Sequence, residues 1–400
     1  MVIVDECHHV SSVSFELVLR QVTATFVYGL TATPIRKDGH QPIIFMQCGK
    51  IRFTSDAKSQ MENQGFKRLL IPRFTSFRSI TSDRKTYVQI TQELSEDKVR
   101  NEFVMEDVKA AIQKGRTPLV LTTRTAHVKV LAQMLMPFAD HVIQLIGADS
   151  AKEKRLALQN LQSIPTSESL VIVATGKYVG EGFDYPRLDT LFLTMPIAWK
   201  GNVEQYAGRL HRECEGKSEV CIYDYVDIRV PLCDSMYRKR LKGYIKAGYG
   251  KNVTSPAPDK NSQELIYEQN NYEAAFRNDL AKAKHSVVIA VPKVKFKYKP
   301  SIMSALANLL HDGVSVVVHV KEEGANETEL SNAGMDVVCN KEQTLQCAII
   351  DKSIVWYGNI NFFGYNSETN NVMRIADYKI ANEMMEILYS ATENKANETR

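Results

Sequence analysis

Val2-Ile3-Val4-Asp5-Glu6-Cys7-His8-His9 is the stretch whose reading decides the fold. Met1 to Val4 is an unbroken apolar run, as a strand buried on both faces of a parallel sheet requires. It stops at two acids, a small residue and a histidine. In open α/β sheets, ligands bind outside the carboxyl ends of the strands. Asp5, Glu6 and His8 therefore stand where a ligand is expected.

Working outward, further apolar runs end in polar turns. Thr25-Phe26-Val27-Tyr28 leads into Gly29-Leu30-Thr31-Ala32-Thr33-Pro34, and Leu119-Val120-Leu121 into Thr122-Thr123-Arg124-Thr125. Val171-Ile172-Val173-Ala174-Thr175-Gly176 precedes Gly180-Glu181-Gly182-Phe183-Asp184, and Gln205-Tyr206-Ala207-Gly208-Arg209-Leu210-His211-Arg212 follows. Arginine suits phosphate because its planar fork gives bidentate contact. Arg209 and Arg212, three apart, would share one face of a helix.

These motifs, in this order, resemble those of superfamily 2 DExH helicases. The run at 31–39 resembles the restriction-subunit and XPB-like repair-translocase branch. A finer resemblance, on Asp5 to His9 and Gly39 to Gly49, is to the helicase part of conflict-system primase–helicases. The resemblance implies ATP and Mg2+ as cofactors. Asp5 would hold the metal, Glu6 orient the attacking water, and His8, Thr31 and Thr33 couple the nucleotide site to the nucleic-acid cleft. Arg124 and Thr175 would face the nucleic-acid backbone and Gly182 and Asp184 the nucleotide. Gln205, Arg209 and Arg212 would serve the transferred phosphate, where an arginine finger is worth roughly 10³–10⁵ in rate. DNA is preferred over RNA as partner.

One part of the pattern is missing. A phosphate-cradling loop needs GxxxxGK[ST] between a strand and a helix. Gly216-Lys217-Ser218 is the sole Gly-Lys-Ser or Gly-Lys-Thr in the chain, and His211 stands where its first glycine should be. It reads as the turn before the strand at 219–224. The expectation is a chain truncated before the DExH element, not ATPase-competent alone, completed by an upstream polypeptide carrying the phosphate loop. A non-catalytic nucleic-acid-binding or regulatory protein is the alternative.

The expected fold class is α/β. Residues 1–78 are the end of a first RecA-like domain, too short to cover its apolar face, and 79–99 a polar linker. Residues 100–250 are a complete second RecA-like domain, with strands at 118–122, 142–146, 170–174, 190–194 and 219–224 and a closing helix at 236–249. Residues 251–262 form a second linker, 263–390 a separate α/β module and 391–400 a tail.

In that module, strand Ser286 to Val291, an amphipathic helix ending at His311-Asp312-Gly313, and strand Val314 to Val320 make a β–α–β crossover. Cys347 to Asn361 then resembles the phospholipase-D-like hairpin, whose HxKxxxxD element precedes a Gly-Ser-x-Asn turn. Taking Asp351 as the family's aspartate, the family's histidine falls on Thr344 and its lysine on Gln346, with Asn361 ending the turn. Neither supplies an imidazole nor a cation, so the resemblance implies a degenerate site; a phospholipase-D-like nuclease is the second alternative reading.

The net charge of +4 is too small to argue nucleic-acid binding by itself. Basic surface must be local, as at Arg68 to Arg78 or Lys293 to Lys299. No run reaches the ~18–20 apolar residues of a membrane span, so no membrane partner is expected and the expected location is cytoplasmic. Seven cysteines without CxxC spacing argue against a zinc ribbon. His127, His141 and His311 read as surface or boundary residues.

Overall fold

The computed structural model describes residues 1–5, 7, 13–31, 41–54, 66–79, 85–147, 151–180, 183–197, 204–249, 266–295, 300–322, 324–341, 343–367 and 370–398. The chain divides into two compact units, Met1–Asn63 and Gln64–Arg400.

The first unit holds strands β1 (Val2–Val4) and β2 (Val27–Gly29), paired in parallel, and helices α1 (Val13–Arg20) and α2 (Gln41–Cys48). Val4, Cys7, Leu19 and Ile44 form its small core. Ile3, Leu17, Val18, Phe26, Tyr28, Met46 and Phe53 stay exposed.

In the second unit, a six-stranded sheet contains β3 (Lys67–Phe74), β4 (Pro118–Thr122), β5 (His141–Leu145), β6 (Leu170–Thr175), β7 (Thr190–Leu193) and β8 (Glu219–Val226). All are parallel, in the order β3-β8-β7-β4-β6-β5. The crossovers include α5 (Thr125–Leu135) and α6 (Ala151–Ser163). β4, β6 and β7 are wholly buried, the apolar runs that a sheet covered on both faces requires.

The expected boundary at 78 is corrected by β3. This strand pairs along its whole length with β8, so residues 67–74 belong to the second sheet, not to the end of a first domain. Nor is the 79–99 stretch linker throughout. Thr86 and Gln89 form a reciprocal capping box that starts α3 (Tyr87–Glu96), and Asp97 caps α4 (Lys98–Gln113). The 251–262 linker lies outside the described residues. The closing helix, α9 (Pro231–Lys246), starts five residues earlier than expected, with its proline in the first turn where the missing N–H costs nothing.

A second sheet of seven strands has the order β12-β11-β10-β13-β14-β15-β9. Its members are β9 (Ile266–Glu268), β10 (Ser286–Ala290), β11 (Ser315–Val320), β12 (Asp336–Cys339), β13 (Cys347–Ile350), β14 (Ile354–Gly358) and β15 (Asn371–Ala376). β10, β11 and β12 are parallel, and the other pairings are antiparallel. The β10–α11–β11 crossover runs through α11 (Pro300–His311), as the sequence pattern predicts. The last helix, α13 (Tyr378–Glu398), continues through the expected tail.

The two sheets of this unit share a core. Phe74 of β3 meets Tyr357 of β14 edge to face at 4.9 Å, the Tyr357 hydroxyl donates to Asp234 of α9, and Tyr237 donates to Met373 Sδ at 3.4 Å. Phe74, Tyr237, Tyr357 and Met373 are buried. Arg73 bridges Asp107 at 2.9 Å and Glu383 of α13 at 2.8 Å. Residues 263–390 are thus packed onto the six-stranded sheet rather than held apart from it, because the β3 edge needs cover and α13 supplies it.

Candidate nucleotide and nucleic-acid sites

In the first unit, Leu30 N donates to Val4 O and Cys7 N to Leu30 O, both at 2.9 Å, so the DExH segment and the Gly29-Leu30-Thr31 segment leave the ladder side by side. Asp5 and Thr31 follow the paired residues Val4 and Gly29 at the same carboxyl edge. A β-carbon on Gly29 would meet the Cys7 sulfur at 2.8 Å and the Cys48 sulfur at 3.0 Å, so close packing of two thiols explains this glycine. Glu6, His8 and Thr33 lie outside the described residues.

In the second unit, Arg124 and Thr175 lie at the carboxyl edge of the six-stranded sheet; the arginine segment begins there at Tyr206, on Gly176, and ends with His211 packed on Phe66, which precedes β3. Arg124, half-buried, precedes α5, and its guanidinium donates to Val88 O at 3.3 Å. Thr175 ends β6, and its hydroxyl accepts from Gly147 N at 2.9 Å. A hydroxyl that accepts from an amide still carries its own hydrogen to donate. Thr175 can therefore offer a hydrogen bond to a phosphate oxygen while held by the β5–α6 loop.

His127 corrects the expectation of a surface residue. It is buried, with Nδ1 2.9 Å from Thr122 Oγ1 and Nε2 2.9 Å from Asn101 Oδ1. Burial, with Arg100 and Arg124 nearby, pushes it down to about 3, so it is neutral and ties the turn before Arg124 to α4. His141 is half-buried and pairs with Glu168 at 2.5 Å, and His311 is exposed.

The arginine segment differs from the expected single helical face. Helix α8 (Glu204–Leu210) carries Gln205, exposed, and Arg209, half-buried, but it ends before Arg212. Lys217 explains the stop. Its ammonium donates to the carbonyls of Leu210 (3.1 Å), Arg212 (2.8 Å) and Pro186 (2.5 Å), and His211 N turns back to Gly208 O. Gly216 takes φ +79° in the turn before β8, and the lysine of Gly216-Lys217-Ser218 is engaged with backbone. Arg212, freed from the helix, pairs with Asp184 at 3.3 Å, both about half exposed. Gly182 lies outside the described residues.

Two features were missed by reasoning on motifs. Tyr206 is buried, and its hydroxyl occupies the place a β-carbon on Gly176 would take. Burial raises this phenol to about 12. Beneath the same edge, Arg240 clasps Asp224 through two 2.8 Å bonds and donates to Ile197 O, while Tyr244 donates to Asp224 at 2.7 Å. Nothing in a single sequence marks these partners, which lie 16 and 20 residues apart.

In the seven-stranded sheet, the aligned residues do not converge. Thr344, exposed, and Gln346, half-buried, precede β13, whereas Asp351 follows it at the opposite end. Asp351 accepts from Lys284 N, His285 N and Ser286 N at 2.8–2.9 Å. Although burial opposes them, these backbone bonds leave its carboxyl lowered. Asp351 and Lys352 both take φ +49°, a tight hairpin. Asn361 does share the Thr344 end, where it donates to Lys293 O and accepts from Phe363 N, both at 2.9 Å. With its amide turned to satisfy both ends, Gln346 donates to Asn359 O at 3.0 Å and Ile360 O at 3.2 Å. Aspartate and amides here brace backbone.

Comparison with known proteins bears on the whole. The family model for the type III restriction enzyme res subunit matches residues 1–36. Protein 22 of Sulfolobus islandicus filamentous virus (isolate Iceland/Hveragerdi), which carries a helicase name, is 25% identical over 245 residues, covering 56% of this chain and 42% of that one. The chain carries a superfamily 2 helicase-like domain. The transcript termination protein A18 of vaccinia virus (strain Ankara) is 25% identical to it over 197 residues, 49% of this chain and 36% of that one. The helicase-like chain thus spans less than half the length of these two relatives. Among solved structures, T4 UvsW overlaps 62% of this chain and 52% of its own at a TM-score of 0.37 and 18% identity. Nuc from Salmonella typhimurium, a phospholipase D family member, overlaps 32% and 91% at 0.28 and 20%. The strand order and register above carry the fold by themselves.

Among the described residues, no helix is long and apolar enough to cross a membrane.

Proposed function

We propose that this chain supplies the nucleic-acid-tracking and phosphate-sensing half of an ATP-dependent superfamily 2 helicase or translocase acting on DNA. The observation that carries the reading is the shared carboxyl edge of one parallel sheet. There Arg124 follows β4 and the bonded Thr175 hydroxyl ends β6, while Tyr206, at the start of the arginine segment, packs on Gly176 beside Thr175.

The residues present fit ATP and Mg2+ in part. Asp5 is an exposed carboxylate at a strand's carboxyl edge, suited to a water-shelled metal. Arg209 and Arg212 suit a phosphate, and an exposed ion pair such as Asp184–Arg212 is weak enough, roughly 0–1 kcal/mol, for a stronger anion to displace. ATP, when bound, supplies the phosphoryl bond whose hydrolysis drives movement. Arg212 would then exchange Asp184 for the phosphate, and Thr175 would donate to the nucleic-acid backbone.

The sequence contains no GxxxxGK[ST], and among the described residues the lysine of its one Gly-Lys-Ser caps backbone carbonyls. Positioning and charge stabilisation supply nearly all catalysis in this class. The chain alone is therefore not ATPase-competent, and a polypeptide carrying the phosphate loop completes it. Ile3 and Tyr28, exposed and paired on parallel strands, support a partner there, because such sheets are ordinarily covered on both faces.

The test is DNA-stimulated ATP hydrolysis by the purified chain, with and without an added segment carrying the phosphate loop. Activity is expected only with the segment and lost again in Glu6→Gln or Arg212→Ala. Robust hydrolysis by the chain alone, abolished by Glu6→Gln, would overturn the reading. DNA binding without hydrolysis under both conditions would favour the regulatory alternative.

A further inference from the structure

We infer that the Thr344 end of the seven-stranded sheet is a non-catalytic grip for single-stranded nucleic acid, with Tyr365 as its stacking platform. Four loop segments meet there. Lys321 N donates to Pro292 O, Asn340 N to Val320 O, Lys295 N to Phe363 O, and the Asn361 amide to Lys293 O. These bonds bring Lys293, Lys295, Lys321 and Lys341 to one edge of the sheet, and all four are exposed. Among the described residues of these segments, Glu322 is the one exposed acid. Glu327 is buried and accepts from Val294 N at 3.3 Å.

Tyr365 stands in the same cluster and is 76% exposed, more than any other described tyrosine of the second unit. Its loop is stiff. Asn366 accepts from Asn361 N (2.7 Å) and donates to Asn361 O (2.9 Å), Asn370 donates to Asn359 O (2.6 Å), and Asn359 accepts from Asn371 N (2.7 Å). A β-carbon on Gly364 would meet the Asn361 amide at 2.8 Å, so the turn beside Tyr365 is tightly packed. Five asparagines are thus arranged to hold one exposed ring.

Exposed lysines tracking a backbone, with an aromatic face for an unpaired base, make the usual chemistry for single strands. Duplex DNA offers the lysines its phosphates but hides base faces from the ring, so the ring selects for unpaired nucleotides. With threonine and glutamine at positions 344 and 346, the strand is held and not cut. The grip is separate from the edge bearing Arg124 and Thr175 and stands whether or not the motor reading does.

The test uses the full chain with a labelled oligothymidylate carrying one 5-iododeoxyuridine. Irradiation should place a crosslink on Tyr365, in wild type and equally in Arg124→Ala. In Arg124→Ala, Tyr365→Ala should lower affinity about 5- to 150-fold, the range of one stacked base, and Tyr365→Phe should restore it. Lys321→Ala with Lys341→Ala should lower the salt slope by about 0.7 for each phosphate no longer neutralised. The bound oligonucleotide should remain intact. No crosslink within residues 359–370, or equal affinity of Tyr365→Ala and Tyr365→Phe, would overturn the grip. Cleavage of the strand would overturn its non-catalytic character.

Discussion

The Tyr206 hydroxyl sits where a side chain on Gly176 would have to go. Tyr206 belongs to the arginine segment and Gly176 follows Thr175, so a buried contact joins the residues suited to phosphate with those suited to nucleic acid. Gly176→Ala should therefore destabilise the chain and weaken DNA binding. In Gly176→Ala with Tyr206→Phe, the nearest atom to the new carbon becomes the ring carbon at 3.1 Å, a contact that small shifts can absorb. Thermal unfolding of the four variants of this cycle should show a coupling of roughly 0.5–3 kcal/mol; strict additivity would deny the contact.

Asp224 and Arg240 form a buried, bidentate pair beneath the same edge. Removing one partner strands the other charge in the interior. Arg240→Ala should cost about 3–5 kcal/mol, read as a large fall in urea midpoint. A fall no larger than that of an exposed control, Lys239→Ala, would contradict this.

Glu383 gives the packing between the two sheets a pH dependence. Burial pushes its carboxyl up from 4.5 to about 7, against the opposing pull of Arg73, with Asp107 and Asp377 adding like charge and Phe74 N donating to it. The folded state then binds more protons than the unfolded state between pH 4.5 and 7. This group's contribution is fully present below pH 4.5 and is lost as pH rises towards 7, each pH unit being worth about 1.4 kcal/mol. Glu383→Gln should flatten that part of the stability profile and exceed wild type at about pH 8. Parallel melting curves for both proteins from about pH 5 to 8 would refute the assignment.

Arg124→Ala should weaken DNA binding across sequences alike and reduce the salt slope by about 0.9 for duplex. An unchanged slope in titrations at several salt concentrations would remove Arg124 from the interface.

Removing residues 266–400 should leave an insoluble or partly unfolded remainder. Deletion would uncover Phe74 and Tyr237 and leave Arg73 without Glu383. A soluble, monomeric, cooperatively melting truncation would show the shared core to be dispensable.

The centre of the six-stranded sheet was legible because strands buried on both faces are written as apolar runs, as in Leu119 to Leu121 and Val171 to Ala174. β3 was not. It is an edge strand whose Lys67, Arg68, Pro72 and Arg73 break the pattern, and an edge tolerates proline because that side needs no ladder bond. The same edge explains the misreading of Arg68 to Arg78 as basic surface, since Arg73 is turned inward to Asp107 and Glu383. The motif residues were legible by type, but the pairing of Arg212 with Asp184 depends on where α8 stops. Lys217 sets that stop from beyond the motif. In the second sheet, alignment gave the residues without their directions. Asp351 lies past β13 and Thr344 before it, so one strand's length separates what the spacing alone places together.

Tyr357 has a further consequence. Wedged between Phe74 of one sheet and Tyr237 beneath it, with its hydroxyl on Asp234, it leaves the seven-stranded sheet no hinge against the six-stranded one. The two sheets therefore travel as one body, and Tyr365 keeps a fixed place relative to Arg124 and Thr175.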